Sequence, residues 1–101
     1  MSSNNWHKRI PVQNPDVAWR MVDDECIIVD PQGSQATVLN PVGSRIWELV
    51  DGKRNVGSIV EQILAEYAVD ADRADADALG FVDELKKRNL IRFEGEPFAG
   101  A

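Results

Sequence analysis

The change from strands to helices falls in residues 39–52, which have the sequence LNPVGSRIWELVDG. Asn40 is a favourable N-cap, and Pro41 takes the first helical position, where its missing N–H group costs no hydrogen bond. Apolar residues then recur at helical spacing until Asp51 and Gly52 end the helix. This stretch predicts one helix that begins directly after an extended segment.

Three extended segments precede this helix. Residues 17–22 alternate between two faces, and residues 26–29 are apolar and largely β-branched, as is typical of paired strands. An acidic turn at residues 23–25 joins them, and residues 30–34 form a second turn that contains proline and glycine. Residues 35–39 are the third segment. The pattern predicts a three-stranded antiparallel meander.

Two further helices follow the first one. Asn55 caps the second helix, whose apolar residues recur at helical spacing as far as Tyr67. Asp72 is the predicted cap of the third helix, which runs to about Asn89. The core stripe of this third helix consists of Ala74, Ala78, Phe81, Val82 and Leu85. Residues 90–93 are either a last short strand or an apolar flap.

The order of elements predicts an α+β fold. A three-stranded meander cannot bury both of its faces, so we expect the helices to cover one of them. The predicted architecture is winged-helix-like, with the order β-β-β-α-α-α. At 101 residues the chain has room for one domain. We expect a flexible N-terminal arm at residues 1–14, the domain at residues 15–93 and a flexible tail at residues 94–101.

Composition excludes several classes of partner. The chain has 17 acidic and 11 basic residues, a net charge of −6, which disfavours nucleic acids and anionic membranes. Residues 1–8 are polar and lack the apolar core of a secretion signal, and residues 26–29 are the longest wholly apolar run. We therefore expect a cytoplasmic protein that contacts neither a membrane nor nucleic acid.

The basic end of the third helix has two interpretations. Lys86, Lys87 and Arg88 either complement the negative end of the helix dipole or form a nucleic-acid patch. A winged-helix DNA reader would present this helix to the bases. The same helix carries several carboxylates, among them Asp75 and Asp77, which would repel phosphates.

The sequence predicts no catalytic residue, no metal site and no cofactor. The one histidine, His7, falls in the predicted arm, and the one cysteine, Cys26, falls in an apolar strand where it acts as a small hydrophobic residue. The acidic cluster at residues 70–77 fails the calcium-loop pattern, because its sixth position is Asp75 instead of glycine. Helix capping and dipole compensation account for these carboxylates.

Two surfaces suggest a groove. The third strand has no Lys, Asp, Glu or Pro to guard an open edge, so it is either covered by the chain itself or available to an extended peptide. Its residues are Gln35, Ala36, Thr37, Val38 and Leu39. On the third helix, Leu79 lies beside the core stripe with Asp75, Val82 and Lys86 between them. This flank is either one wall of a shallow groove or an edge covered by the tail or a neighbouring strand.

At this point the sequence resembles the PqqD-like family. The resemblance covers about residues 16–93 and depends on the combined spacing of several motifs. These motifs are residues 39–52, Val56 with Ile59 and Val60, residues 64–67, Val69 with Asp70, residues 81–85 and residues 89–91.

The resemblance implies a function in peptide recognition. PqqD-like domains bind the leader of a ribosomally made precursor peptide and present it to a modifying enzyme, often a radical S-adenosylmethionine enzyme. The namesake acts in pyrroloquinoline quinone (PQQ) biosynthesis. Members of the family add the leader as a strand beside the third strand, in a groove completed by the third helix. For this chain, the implied peptide-binding residues are Gln35, Ala36, Thr37, Val38, Leu39, Asp75, Leu79, Val82 and Lys86.

Two further expectations remain. The alternative function is that of a winged-helix DNA-binding transcriptional regulator, which the acidic balance opposes. The short hinge at Asn40 and Pro41 permits a homodimer formed by domain swapping.

Overall fold

The computed structural model describes residues 3–30, 32–33 and 35–98. A 3-10 helix at Ser3–Lys8 begins this part of the chain. The strands within it are β1 (Pro11–Gln13), β2 (Ala18–Val22), β3 (Glu25–Val29), β4 (Ala36–Val38) and β5 (Ile91–Phe93). The helices are α1 (Pro41–Leu49), α2 (Val56–Glu66) and α3 (Ala71–Lys87). Pro31 and Ser34 of the predicted second turn lie outside the described residues, as do the first two and last three residues.

The predicted α+β fold is confirmed. Strands β2, β3 and β4 form an antiparallel sheet in that order, and the three helices follow it in the chain. The third strand is shorter than the predicted residues 35–39. Its ladder with β3 ends because the hydroxyl of Ser44 in α1 accepts the Cys26 N–H group at 2.7 Å and donates to the Leu39 carbonyl at 3.1 Å.

A second, smaller sheet joins the two ends of the domain. Strand β1 pairs antiparallel with β5, with Pro11 opposite Phe93 and Gln13 opposite Ile91. Part of the predicted arm therefore forms a strand, and the predicted strand or flap at residues 90–93 is a strand. No local pattern indicates this pairing, because its two strands lie at opposite ends of the sequence.

The helix caps agree with the sequence at two of three positions. The side chains of Asn40 and Asn55 accept the Gly43 and Ser58 N–H groups, as predicted for the first two helices. The predicted cap Asp72 is wrong. Asp70 caps α3 by accepting the Arg73 N–H group at 3.1 Å, so α3 begins two residues earlier.

The core lies between the helices and one face of the β2-β3-β4 sheet. Cys26 and Ile28 point into it and are almost fully buried, and Trp47 of α1 has no exposed surface. Trp19 of β2 contacts Trp47 edge to face, with 6.1 Å between the ring centroids. Side chains alternate between the two faces along a strand. The neighbours of Trp19, Cys26 and Ile28 within their strands therefore point away from the helices, on the other face of the sheet.

The N-terminal segment packs against α2 and β5. The carbonyl of Arg9 accepts the Val56 N–H group at 2.9 Å, which satisfies a donor at the start of α2. Trp6 contacts Phe93 edge to face at 5.2 Å. Gly57 has a role that the sequence did not indicate: a β-carbon there would lie 3.2 Å from the His7 carbonyl oxygen. A side chain at this position would push the segment away from α2.

Candidate functional site

The outer edge of β4 presents backbone groups that pair with no strand of the described residues. The Leu39 N–H group donates to Cys26 and the Asp30 N–H group donates to Gln35, at 2.8 and 3.1 Å. Hydrogen-bonded pairs alternate along an antiparallel ladder, so Thr37 also faces β3 with its backbone groups. The N–H and C=O groups of Ala36 and Val38 point the other way. Among the described residues no strand pairs with them.

The predicted strand residues divide between the two faces of the sheet. Thr37 lies opposite Ile28 and shares its inner face, and Leu39 is 7% exposed. Ala36 and Val38 lie on the outer face, where the Val38 side chain is 60% exposed. Gln35 is exposed at the beginning of the strand. Of the five, Gln35, Ala36 and Val38 are therefore exposed, Thr37 is half-buried and Leu39 is buried.

One flank of α3 runs beside this edge. The guanidinium of Arg88, the C-cap of α3, donates to the Thr37 hydroxyl at 2.7 Å. Nearer the N-terminus of α3, Phe81 approaches Gly43, just after β4, where a β-carbon would lie 3.4 Å from the Phe81 ring. The helix therefore runs antiparallel to β4. At about 100° per residue, Glu84 falls on the same flank as Phe81 and Arg88.

The α3 residues of the predicted site lie on or toward the flank of α3 opposite Phe81 and Arg88. These residues are Asp75, Leu79, Val82 and Lys86. The ring of His7 bonds the Asp75 carboxylate at 2.5 Å, and Glu96 pairs with Lys86 at 3.4 Å. Leu79 packs against the core. Val82 is 0% exposed. The N-terminal segment and the residues after β5 therefore cover the flank that the sequence analysis offered as a groove wall.

This placement differs from the predicted pairing of the two walls. The helical pattern identifies which residues border the core stripe on each side, and it singled out the side with Leu79. It carries no information about which side faces β4. Arg88 contacts Thr37 of β4 from the other flank, and the alternative that the Leu79 flank is a covered edge agrees with the structure.

An apolar cavity of about 550 Å³ lies near the end of β4. It opens between the three helices, beside Asn40, where the chain leaves β4. Its apolar lining includes Val42, Ile46, Val60, Ile63, Val69 and Phe81. The sequence analysis missed this cavity. The signal available was the set of small residues facing it, Gly43, Ala74 and Gly80.

Charges at this cavity are exposed and paired. Arg73 and Asp77 lie at its lining and approach within 3.6 Å of each other, four residues apart on α3. Their side chains are 81% and 73% exposed, so the ion pair contributes little to stability and is available to a charged ligand.

The one cysteine of the chain, Cys26, is buried. Burial raises the pKa of the Cys26 thiol to about 11, with a smaller effect from Glu48, so the thiol is protonated at neutral pH. Within residues 3–30, 32–33 and 35–98, no three His, Cys, Asp or Glu side chains converge as a metal site would require. In the same part of the chain, no helix is long and apolar enough to cross a membrane.

Comparison with known proteins identifies the family. The sequence profile of the family described as "Coenzyme PQQ synthesis protein D (PqqD)" matches residues 25–91, more than half of the chain. The chain belongs to the PqqD family. Its matched region runs from β3 to the first residue of β5 and so includes both β4 and α3.

Curated relatives carry the name "PqqA binding protein". The relative from Gluconobacter oxydans (strain 621H) is 31% identical over 70 residues, which cover 69% of this chain and 71% of the relative. One from Xanthomonas euvesicatoria pv. vesicatoria (strain 85-10) is 25% identical over 69 residues, covering 68% and 73%. The PqqD family assignment thus agrees with the resemblance found in the sequence.

Solved structures share the fold over most of the chain. "TbiB1 in Complex with the TbiA(beta) Leader Peptide" matches with a TM-score of 0.72 and 31% identity, covering 85% of this chain and 98% of that one. "Lasso peptide synthetase B1 complexed with the leader peptide" matches with a TM-score of 0.71 and 17% identity, covering 82% and 98%, which shows the fold alone. These comparisons give no support to the DNA-binding alternative.

Proposed function

We propose that this PqqD-family chain binds the leader of a ribosomally made precursor peptide by strand addition to β4. The observation that carries the proposal is the open edge at Ala36 and Val38, whose backbone donors and acceptors lie beside one flank of α3. The backbone of an extended peptide forms hydrogen bonds with such N–H and C=O groups whatever the side chains of the peptide are. The relatives named for binding PqqA, and the similar structure solved with a leader peptide, support this function.

The groove supplies selectivity in addition to backbone hydrogen bonds. Alternate side chains of a bound strand point to opposite faces of the sheet, so one set faces α3. There they meet Phe81, Glu84 and the aliphatic part of Arg88. The cavity beside Asn40 continues this groove and accepts a large apolar side chain of the leader. The proposed peptide-binding set therefore keeps the predicted strand residues and replaces the Leu79 flank with the Phe81 flank.

The chain acts without chemistry of its own in this proposal. It holds the leader while a separate modifying enzyme, a radical S-adenosylmethionine enzyme, acts on the remainder of the precursor. The pathway is PQQ biosynthesis or the formation of a related modified peptide. The buried, protonated thiol of Cys26 supports a non-catalytic role, because it cannot serve as a nucleophile at neutral pH.

The test is a change to one backbone donor. Val38→Pro removes the outward N–H group and leaves the ladder with β3 intact, because proline is tolerated where its nitrogen faces away from the sheet. We expect a synthetic leader to bind about tenfold more weakly, because the variant lacks the hydrogen bond that the Val38 N–H group would donate to the leader. Isothermal titration calorimetry measures the affinity, and circular dichroism checks the fold.

Val38→Ala is the matched control, because it removes the same side chain and keeps the N–H group. We expect its leader affinity to stay within about threefold of the wild type. Equal affinities for the proline and alanine variants, with both folded, would show that the leader does not add to this edge.

The domain-swapped homodimer stays a proposal of its own. Its hinge would be the short connection at Asn40 and Pro41, between β4 and α1. Sedimentation velocity over a range of protein concentrations tests it, and a single monomeric species at all of them would exclude the dimer.

A further inference from the structure

The outer face of the β2-β3-β4 sheet is apolar and uncovered. The register places Arg20, Ile27 and Val38 in one row across the three strands, and Ala18, Val29 and Ala36 in the next. Val22 and Val38 are 43% and 60% exposed. The helices pack on the opposite face, as the contacts of Trp47 with Trp19 and of Ser44 with Cys26 show. Among the described residues, nothing packs against the outer face as a third layer.

This face continues directly into the proposed leader site. A strand added at Ala36 and Val38 extends the sheet by about 4.8 Å, and half of its side chains join the outer face next to Val38. A protein docked on the outer face would therefore contact the domain and the bound leader at once. Such a composite surface exists only after the leader has bound.

Charge indicates what kind of surface fits here. Among the described residues no carboxylate pairs with the Arg20 guanidinium, which lies on the edge strand β2 at the end of the row formed with Ile27 and Val38. At the β2–β3 turn, Asp23, Asp24 and Glu25 are exposed and form an acidic rim beside Val22. The complementary surface is apolar, carries a carboxylate opposite Arg20 and has Lys or Arg at its edge.

A second copy of the chain does not meet these requirements. Each copy has a net charge of −6, and face-to-face packing about a two-fold axis brings two Arg20 side chains and two like-charged chains together. The required occupant is a different protein.

We propose that the outer face is the docking surface for the modifying enzyme, which contacts it through an apolar patch with a basic rim on the enzyme's own surface. This inference rests on the proposed leader binding. The enzyme then contacts both the apolar rows of the domain and the outward side chains of the leader. Docking on this face leaves the α3 groove undisturbed, so leader and enzyme bind together.

Arg20→Glu tests the docking surface without touching the leader site. Arg20 is exposed on β2, about 10 Å from β4 across two strand spacings. The probe is a purified radical S-adenosylmethionine enzyme of PQQ biosynthesis, titrated by calorimetry in the presence and absence of a synthetic leader. We expect at least tenfold weaker enzyme binding and a leader affinity within twofold of the wild type. Lys53→Glu, the same charge reversal in the exposed loop after α1, should change neither affinity.

The outcomes separate the two proposals. Enzyme affinity that is unchanged by both Arg20→Glu and Val22→Lys overturns the docking surface, and so does a wild-type chain that binds leader but no enzyme. A wild-type chain that binds no leader overturns the proposed function instead. Self-association of the wild type that disappears in Arg20→Glu assigns the face to a second copy and also overturns the inference.

Discussion

The guanidinium of Arg88 donates to the hydroxyl of Thr37 at 2.7 Å and so joins the end of α3 to the middle of β4. The two residues are 51 positions apart in the sequence. Because Thr37 turns its side chain to the inner face and its backbone to β3, this contact leaves the outward groups of Ala36 and Val38 free. It also places the C-terminal end of α3 next to β4.

The Arg88–Thr37 contact should stabilise the protein and hold the groove at a fixed width. We expect Arg88→Ala to lower the free energy of unfolding by about 1 kcal/mol, the usual contribution of one such hydrogen bond. Urea denaturation measures it, with Lys87→Ala at the neighbouring exposed position as control. In a double-mutant cycle with Thr37→Val, additive effects would contradict a direct interaction.

Leader affinity should depend on Phe81 and hardly on Leu79. Both side chains are partly buried and pack against the core, so both alanine variants lose comparable stability. We expect Phe81→Ala to weaken leader binding at least tenfold, because Phe81 lines the groove and its cavity. We expect Leu79→Ala to change it less than threefold. Fluorescence anisotropy of a labelled leader distinguishes them, and the reverse order would restore the flank predicted from the sequence.

The hydroxyl of Ser44 should be essential to the end of the β3–β4 ladder. Ser44 is fully buried and joins the Cys26 N–H group to the Leu39 carbonyl. Ser44→Ala leaves a buried N–H group unpaired, which costs about 1–3 kcal/mol. Thermal and urea unfolding measure the loss, and Ser58→Ala, at an exposed position of α2, is the control. Equal stability of the two variants would contradict this role.

The cover over the Leu79 flank should loosen in acid. A hydrogen bond from Arg9 is the largest cause that holds the pKa of the Glu96 carboxyl below its ordinary value of 4.5; desolvation opposes it, and a weaker hydrogen bond from Lys86 adds to the lowering. A carboxyl whose pKa is lowered by folding stabilises the folded state above its unfolded pKa. This contribution is lost as the pH falls from 4.5 through the folded value.

NMR spectroscopy checks this loosening through the indole N–H signal of Trp6, which lies against Phe93 in the same cluster. We expect the signal to move as the pH falls below 4.5 in the wild type. In Glu96→Gln, which has no carboxyl to titrate, that movement should be absent. An identical pH profile in both proteins would assign the change to another group.

Much of the fold was predictable because its signals are local. Alternation marks β2, and the β-branched run marks β3, since side chains alternate between the faces of a strand. Asn40, Pro41 and Asn55 mark the starts of two helices through groups a few residues away. The open edge of β4 was also predictable, because the absence of guarding residues is a property of the strand alone.

For the candidate site, the sequence indicated the open edge of β4 but not which flank of α3 lies next to it. A helical wheel shows that α3 has two flanks beside its core stripe, but both border the core in the same way. Which flank faces β4 depends on how the helix packs across the sheet, and the decisive contacts, Arg88 with Thr37 and Phe81 beside Gly43, join distant parts of the chain.

The sequence by itself determined the order of the three meander strands and the three helices, most of the helix caps and the unguarded third strand, since each depends on residues within about one turn or one strand. Tertiary structure alone decided that β1 pairs with β5, that Ser44 ends the ladder and that the N-terminal segment covers the Leu79 flank. Those features depend on packing between residues far apart in the chain, whose geometry no local period encodes.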